Sequence, residues 1–244
     1  MIAALVADLH PHSLFPLDRE LLGRPLAAYP LLGLQSSREV RRVYVMTDDP
    51  SVKTVTLQFS PIFLDPPEDL PSELGSLIRH CLPMIHKDLE GETPMEFLAV
   101  LLLRAPFATG PMVDEAVELL RSRPDAEAAL TVSSHPSLHP RWARKETPRG
   151  LLEPAVPSPP AGEIWYPDGG LALLRRGVLD KLGTDSMITK ALPIKQQGAT
   201  PVIDEWQVPA AAYWLSRHGV SDLSQSLQPQ PKPLPQSAPK GDRR

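Results

Sequence analysis

Asp8, His10 and His12 form a D-x-H-x-H pattern directly after the apolar run Ile2–Ala7. In an extended chain, alternation places these three side chains on one side. A carboxylate and two imidazoles bind Zn²⁺ or Mn²⁺, and the bound ion can activate a water molecule for hydrolysis. The pattern therefore indicates one possible metal site. The other histidines fall in predicted helices or loops, so they do not supply the further strand-end ligands that such a site needs.

Short apolar runs alternating with helical patterns predict the elements that position these side chains. The predicted strands are Ile2–Ala7, Arg42–Thr47, Phe97–Leu103 and Ala128–Val132. The predicted helices are Glu73–Leu89, Val113–Ser122 and a weaker one within Arg24–Ser36, kinked at Pro30 or beginning there. Such alternation predicts a three-layer α/β/α fold with a mainly parallel sheet, whose ligands bind beyond the carboxyl ends of the strands. The site should therefore lie in the loops Asp8–Pro16, Asp48–Ser51 and Arg104–Gly110.

Composition narrows the classes of partner and the extent of the folded domain. The formal net charge of −4 gives no basic stripe of the kind typical of nucleic-acid partners. No apolar run approaches the ~20 residues of a membrane span. The single cysteine, Cys81, excludes an internal disulfide and fits a reducing compartment, so we expect a cytoplasmic protein. Residues 1–220 are expected to form one domain, and the proline-rich tail 221–244 is expected to be disordered.

Several segments occur in an order and spacing that resemble one enzyme family. They are Gly23–Tyr29 (GRPLAAY), Val43–Asp49 (VYVMTDD), Asp114–Ser134 followed by His139–Ala143 (HPRWA), Tyr166–Gly170 (YPDGG) and Val202–Asp204 (VID). From Ile2 to His218 the chain resembles the acylneuraminate cytidylyltransferases, the CMP-sialic acid synthetase-like enzymes. The resemblance implies a Rossmann-like, GT-A-like nucleotidyltransferase fold. It also implies a reaction in which a sugar acid hydroxyl attacks the α-phosphorus of CTP, pyrophosphate leaves and Mg²⁺ is the cofactor.

The resemblance also assigns roles to individual residues. The catalytic candidates are Arg19, as a phosphate clamp, and Asp204, as the remaining Mg²⁺ ligand. The nucleotide-binding candidates are Asp8, Arg19, Thr47, Asp48 and Arg104, and the substrate-binding candidates are Tyr166, Asp168 and Gly169. Structural alternatives stay open: a solvated surface arginine for Arg19, a helix N-cap for Asp204 and an Asp-Gly turn for Asp168.

Several positions depart from the family pattern. The loop after the first strand has no glycine, and Asp8 stands where the family has an arginine. Leu102 replaces a glutamine that reads the nucleotide, Ala108 replaces an arginine, and Val202 replaces the first metal carboxylate. We therefore expect little or no CMP-sialic acid synthetase activity.

Three hypotheses about function follow. The first is a working nucleotidyltransferase with an altered site, and the second is a non-catalytic relative that binds a sugar, a nucleotide or a protein. The third is a metal-dependent hydrolase that uses the D-x-H-x-H loop. The resemblance further implies a homodimer, in which the segment from His139 to Tyr166, with Trp142 and Trp165 expected to be exposed, reaches toward the partner.

Overall fold

A computed structural model describes residues 1–10, 13–67, 73–179, 181–182 and 188–218. The strands are β1 (Ile2–Ala7), β2 (Glu20–Leu21), β3 (Arg24–Pro25), β4 (Val40–Met46), β5 (Ile62–Leu64), β6 (Phe97–Leu102), β7 (Ala128–Ser134), β8 (Arg144–Glu146), β9 (Leu152–Pro154), β10 (Trp165–Arg175) and β11 (Ala191–Gln197). The helices are α1 (Ala28–Gln35), α2 (Pro50–Thr56), α3 (Leu74–Asp88), α4 (Gly110–Ser122), α5 (Arg176–Leu179) and α6 (Val208–His218). The predictions for His12 and for the tail 221–244 lie outside the described residues.

Seven strands form one sheet in the order β11-β7-β10-β6-β1-β4-β5. β1 lies parallel to β4 and β6, β4 is parallel to β5, and β7 is parallel to β11. β10 runs antiparallel between β6 and β7. The four predicted strands therefore share one mainly parallel sheet. Ala7 is in register with both Met46 and Leu102, so β1, β4 and β6 end level at one edge.

Alternation along β1 builds an apolar core on each face of the sheet. Ala4 and Val6 pack in the core beneath α1, α4 and α6, and Leu5 packs in the opposite core beneath α3. Helices on both faces confirm the predicted three-layer architecture. Within the described residues, no helix has the length and apolarity needed to cross a lipid bilayer.

α1 differs from its predicted form. It begins at Ala28, two residues before Pro30. Pro30 therefore lies in the first turn, where backbone N–H groups have no intrahelical partner and the missing donor costs little. Close packing requires a glycine at position 33, because a Cβ on Gly33 would collide with the backbone carbonyl of Ala108. Without a side chain there, α1 packs directly against the loop that follows β6.

Candidate functional site

A buried ion pair joins the ends of β1 and β6. Arg104 donates from Nε to Asp8 Oδ1 at 3.0 Å and to Oδ2 at 2.9 Å, and its Nη2 lies 2.8 Å from Oδ2. Its Nη1 donates to the carbonyl of Phe15 at 2.6 Å. The Arg104 side chain is only 5% exposed and that of Asp8 is 18% exposed. Two of the residues predicted to bind a nucleotide are thus bound to each other.

The segment before α6 completes this edge of the sheet. The N–H of Val202 donates to the carbonyl of Arg104 at 2.8 Å, and Ser13 Oγ donates to the carbonyl of Ile203 at 2.5 Å. The side chain of Val202 is fully buried in the core beneath α1 and α4. A carboxylate in its place would be ionised among apolar groups, which is costly. Val202, which stands where the resemblance places a metal carboxylate, is therefore part of the packing.

Arg19 and Asp204, the two catalytic candidates, lie on neighbouring segments. Arg19 Nη1 lies 2.5 Å from Glu205 Oε1 in an exposed ion pair, and its guanidinium lies 5.1 Å from the centre of the Phe15 ring. Asp204 precedes the 3₁₀ turn Glu205–Gln207 that leads into α6, and its N–H donates to Gln207 Oε1 at 2.8 Å. Asp204 is half-buried at the start of this helical segment, and Arg19 faces solvent.

The Thr-Asp-Asp sequence after β4 stabilises its own loop. Thr47 is buried, and its Oγ1 accepts from the N–H of Asp49 at 3.1 Å. Asp49 caps α2 by accepting from the N–H of Ser51 at 2.8 Å. Asp48 is exposed beside them. Of the two nucleotide-binding candidates here, Asp48 presents a side chain to solvent and Thr47 supports the turn.

The YPDGG segment forms a bulge in β10 rather than a hairpin turn. Asp168 is 2% exposed and accepts from Thr131 Oγ1 at 2.5 Å, from Ser133 Oγ at 3.2 Å and from the N–H of Gly170 at 3.0 Å. Burial raises the pKa of Asp168 above its ordinary value, although these hydrogen bonds act in the opposite direction. Asp168 therefore holds β7 and β10 together from inside the sheet.

The two other substrate-binding candidates lie on either side of Asp168. Gly169 has a φ of +74°, and a Cβ there would lie 2.6 Å from Leu102 Cδ1. The hydroxyl of Tyr166 donates to the carbonyl of Leu138 at 2.8 Å. Gly169 thus packs against Leu102, which stands where the resemblance places a glutamine, whereas Tyr166 anchors the chain near the irregular segment that follows β7.

Gln196 on β11 is a buried polar residue that the sequence did not single out. It is 5% exposed, and its Oε1 and Nε2 have no hydrogen-bond partner among the described residues. Its Nε2 lies 3.3 Å from the Cβ position of Gly170, beside the Asp168 cluster. The alternation of side chains along β11 is the one sequence signal that could have predicted burial of Gln196. It lies in no recognisable motif.

A pocket of about 500 Å³ lies on the α3 face of the sheet, next to the Asp8 loop. We call it the apolar pocket. Residues from six parts of the chain mark its extent: Leu9, His10, Leu74, Leu102, Thr131, Gly169 and Ile188. Apart from His10, Thr131 and two glycines, every lining side chain in the described part of the chain is apolar. Its volume lies within the ~300–1,000 Å³ of small-molecule sites.

The described residues do not form a metal site. They contain no group of three His, Cys, Asp or Glu side chains that could hold an ion. For the D-x-H-x-H alternative, both Asp8 oxygens are bound by Arg104, and His12 lies outside the described residues. For Mg²⁺, the Val202–Asp204 segment supplies one carboxylate, that of Asp204, because Val202 has none. The carboxylate of Asp168 is buried and already bound within the sheet. The described side chains therefore do not form a site that would hold an ion by protein donors alone.

Comparison with known proteins establishes the fold class. No family model matches the chain, and no curated protein sequence matches it. Among solved structures, it is similar to CMP:2-keto-3-deoxy-manno-octonic acid synthetase complexed with CTP, at 14% identity and a TM-score of 0.61, over 88% of this chain and 98% of that one. It is also similar to 4-diphosphocytidyl-2C-methyl-D-erythritol synthase from Anaerococcus prevotii DSM 20548, at 12% identity and a TM-score of 0.58, over the same shares. The chain therefore has the α/β nucleotidyltransferase fold of cytidylyltransferases.

Proposed function

We propose that this protein is a ligand-binding relative built on the cytidylyltransferase fold, in which transfer of CMP from CTP to a sialic acid has been lost. The observation that carries the proposal is the buried pair between Asp8 and Arg104. It occupies the strand ends where the family resemblance places the triphosphate.

Electrostatics supports this proposal. A triphosphate needs phosphate-facing amides and cations with uncompensated charge. The guanidinium of Arg104 is neutralised by Asp8 and also bound to the carbonyl of Phe15. Releasing Arg104 for a phosphate would leave the Asp8 carboxylate without its partner and facing that phosphate. Both effects oppose the binding of a triphosphate in the family's manner.

A second candidate is a nucleotidyltransferase with an altered site, which binds CTP or another nucleotide and a sugar acid with Mg²⁺ as cofactor. The contact between Arg19 and Glu205 favours it, because it brings the exposed arginine to the residue next to Asp204. Arg19 would then exchange Glu205 for a phosphate, and Asp204 would bind Mg²⁺ together with phosphate oxygens. In this arrangement Arg19 is the cation for the phosphates, and Asp204 is the carboxylate for the metal.

Pyrophosphate release separates the two candidates. We expect turnover with CTP, Mg²⁺ and sialic acid to stay below about 1% of the ~1–10³ s⁻¹ usual for enzymes, because each missing transition-state donor costs about 10²–10³-fold. An authentic CMP-sialic acid synthetase serves as the positive control. Turnover in the usual range that is abolished by Asp204→Ala and retained by Asp125→Ala, an exposed aspartate near the opposite end of β7, would establish the second candidate. Background turnover without a CTP-induced rise in melting temperature supports the proposed loss of CMP transfer.

We also predict a homodimer through the segment from His139 to Tyr166. Its exposed apolar side chains include Trp142 at 63% and Leu152 at 72%. Trp165 is not exposed as predicted. It is half-buried, and the Lys195 ammonium lies 4.5 Å from its ring centre. Sedimentation should detect a dimer whose Kd rises roughly tenfold or more in Trp142→Ser, since buried tryptophans dominate interface energies. Leu57→Ser, at a site 63% exposed elsewhere, is the matched control, and a monomer at high concentration would contradict the prediction.

A further inference from the structure

The walls of the apolar pocket are unlike those of a site for a nucleotide or a sugar acid. Among the described residues, no acidic or basic side chain other than His10 lines it, and the lining includes Val100, Leu130 and Ile188 from three separate segments. A phosphate or carboxylate placed against such walls would lose its hydration without gaining a counter-charge. The free energy that this pocket can supply comes from burying apolar surface.

Among the described lining residues, one polar side chain remains available to orient a ligand. The Thr131 hydroxyl is already engaged, since it donates to Asp168 Oδ1 and accepts from the N–H of Leu171 at 2.8 Å. His10 lines the pocket, and its Nδ1 is buried without a hydrogen-bond partner among the described residues. The nearest carboxylate oxygen, Asp8 Oδ1, lies 4.0 Å from that Nδ1 and is bound by Arg104.

The chemistry of His10 selects the polar group of the ligand. A neutral imidazole has one donor nitrogen and one acceptor nitrogen, and a hydroxyl can both donate and accept. An alcohol can therefore pair with the imidazole of His10 in either tautomer. A carboxylate, in contrast, only accepts, and it would also lie near the Asp8 carboxylate.

We propose that the apolar pocket binds a small apolar alcohol, with its hydroxyl on His10 and its hydrocarbon part against Leu102, Leu130 and Ile188. The proposal rests on the proposed ligand-binding function and names the class of that ligand. It gives a role to Leu102, which stands where the resemblance places a glutamine. Leu102 closes the pocket against Gly169, and an amide in its place would require partners that these walls do not offer.

A homologous series of straight-chain alcohols from hexanol to decanol tests the proposal on the full chain. Calorimetry should show a Kd that falls about fourfold for each added CH₂, as expected for burial of one methylene. In methyl-labelled protein, the resonances of Val100, Leu102 and Ile188 should shift on titration, whereas that of the exposed Leu57 should not. A Kd that does not change with chain length, or shifts spread over the whole surface, would overturn the proposal.

Single substitutions distinguish the contribution of the apolar walls to alcohol affinity from that of the hydroxyl contact with His10. Leu102→Gln should raise the Kd of decanol about tenfold or more, and the matched control Leu57→Gln should leave it unchanged. Ala172→Leu fills the pocket from β10. It should also weaken alcohol binding without lowering the melting temperature. This variant therefore tests the pocket even where Leu102→Gln fails to fold. His10→Leu should weaken every alcohol by a similar factor of about 2–10 and preserve the fourfold step for each CH₂. An unchanged affinity in both Leu102→Gln and Ala172→Leu would place the alcohol elsewhere.

The pyrophosphate assay distinguishes failure of this inference from failure of the proposed function. Alcohol binding together with CTP turnover would retain the apolar pocket and overturn the loss of CMP transfer. Absence of both alcohol binding and turnover would overturn the ligand class alone, because the loss of CMP transfer is measured separately by pyrophosphate release.

Discussion

Arg104→Met should lower the free energy of unfolding by about 3–5 kcal/mol, the usual cost of removing one partner of a buried ion pair. The methionine keeps most of the apolar contacts of the side chain but leaves the Asp8 carboxylate with no counter-charge. It also removes the hydrogen bond to the carbonyl of Phe15. Both ends of the Asp8–Phe15 loop lose their attachment, so chemical denaturation should show a lower midpoint.

The double variant Asp8→Leu/Arg104→Met distinguishes an ion pair from simple packing. Replacing both charges with apolar groups removes the unpaired carboxylate, so much of the stability should return. The exposed ion pair between Arg19 and Glu205 provides the matched control. Arg19→Met removes an arginine that is 53% exposed, so it should lower the free energy of unfolding by only ~0–1 kcal/mol. If Arg104→Met is no more costly than Arg19→Met, the pair does not organise the strand ends, and the observation behind the proposed function loses its force.

The pairing of Asp8 with Arg104 shows where prediction from the sequence ended. Both residues were expected at this edge because each directly follows an apolar strand. Their mutual contact spans 96 residues, and nothing local in either loop indicates which opposite charge will lie within hydrogen-bond distance. The sequence therefore predicted the location of the charges, and the tertiary packing decided that they neutralise each other.

β10 illustrates a second limit, this time on secondary structure. The parallel strands were predictable because strands buried on both faces are continuous apolar runs. β10 contains Pro167, Gly169 and Gly170, which favour a turn when considered locally. In the structure these residues form a bulge within an 11-residue strand, and the register shifts between Pro167 and Ala172. The bulge turns Asp168 into the sheet, which no turn prediction could have anticipated.

Asp168→Ala should be strongly destabilising, by about 2–4 kcal/mol, because the hydroxyls of Thr131 and Ser133 and the N–H of Gly170 lose their shared acceptor inside the sheet. Asp168→Asn keeps one acceptor oxygen and should cost less. It also makes the group uncharged at every pH, so the difference in unfolding free energy between the unsubstituted protein and Asp168→Asn isolates the ionisation of Asp168.

The sign of that difference follows from the raised pKa of Asp168. The folded state holds the proton more tightly than the unfolded state, so the stabilisation is fully present below the unfolded pKa and is lost as the pH rises through the folded pKa. The advantage of the unsubstituted protein over Asp168→Asn should therefore shrink as the pH rises from about 3.9, the ordinary Asp value, and become constant above the folded pKa. Denaturation curves measured across this range test the direction.

Asp114, on α4, provides a control of opposite sign. Burial raises its pKa, but hydrogen bonds from Ser37 and Arg38 outweigh that effect and hold the pKa below its ordinary value. Its stabilisation is present above the unfolded pKa and is lost as the pH falls through the folded pKa, so the gap to Asp114→Asn should widen as the pH rises. Two buried carboxyls in one protein should thus respond oppositely to pH. If the gaps for Asp168→Asn and Asp114→Asn change in the same direction, Asp168 is not the desolvated, internally bonded carboxyl of the β7–β10 junction.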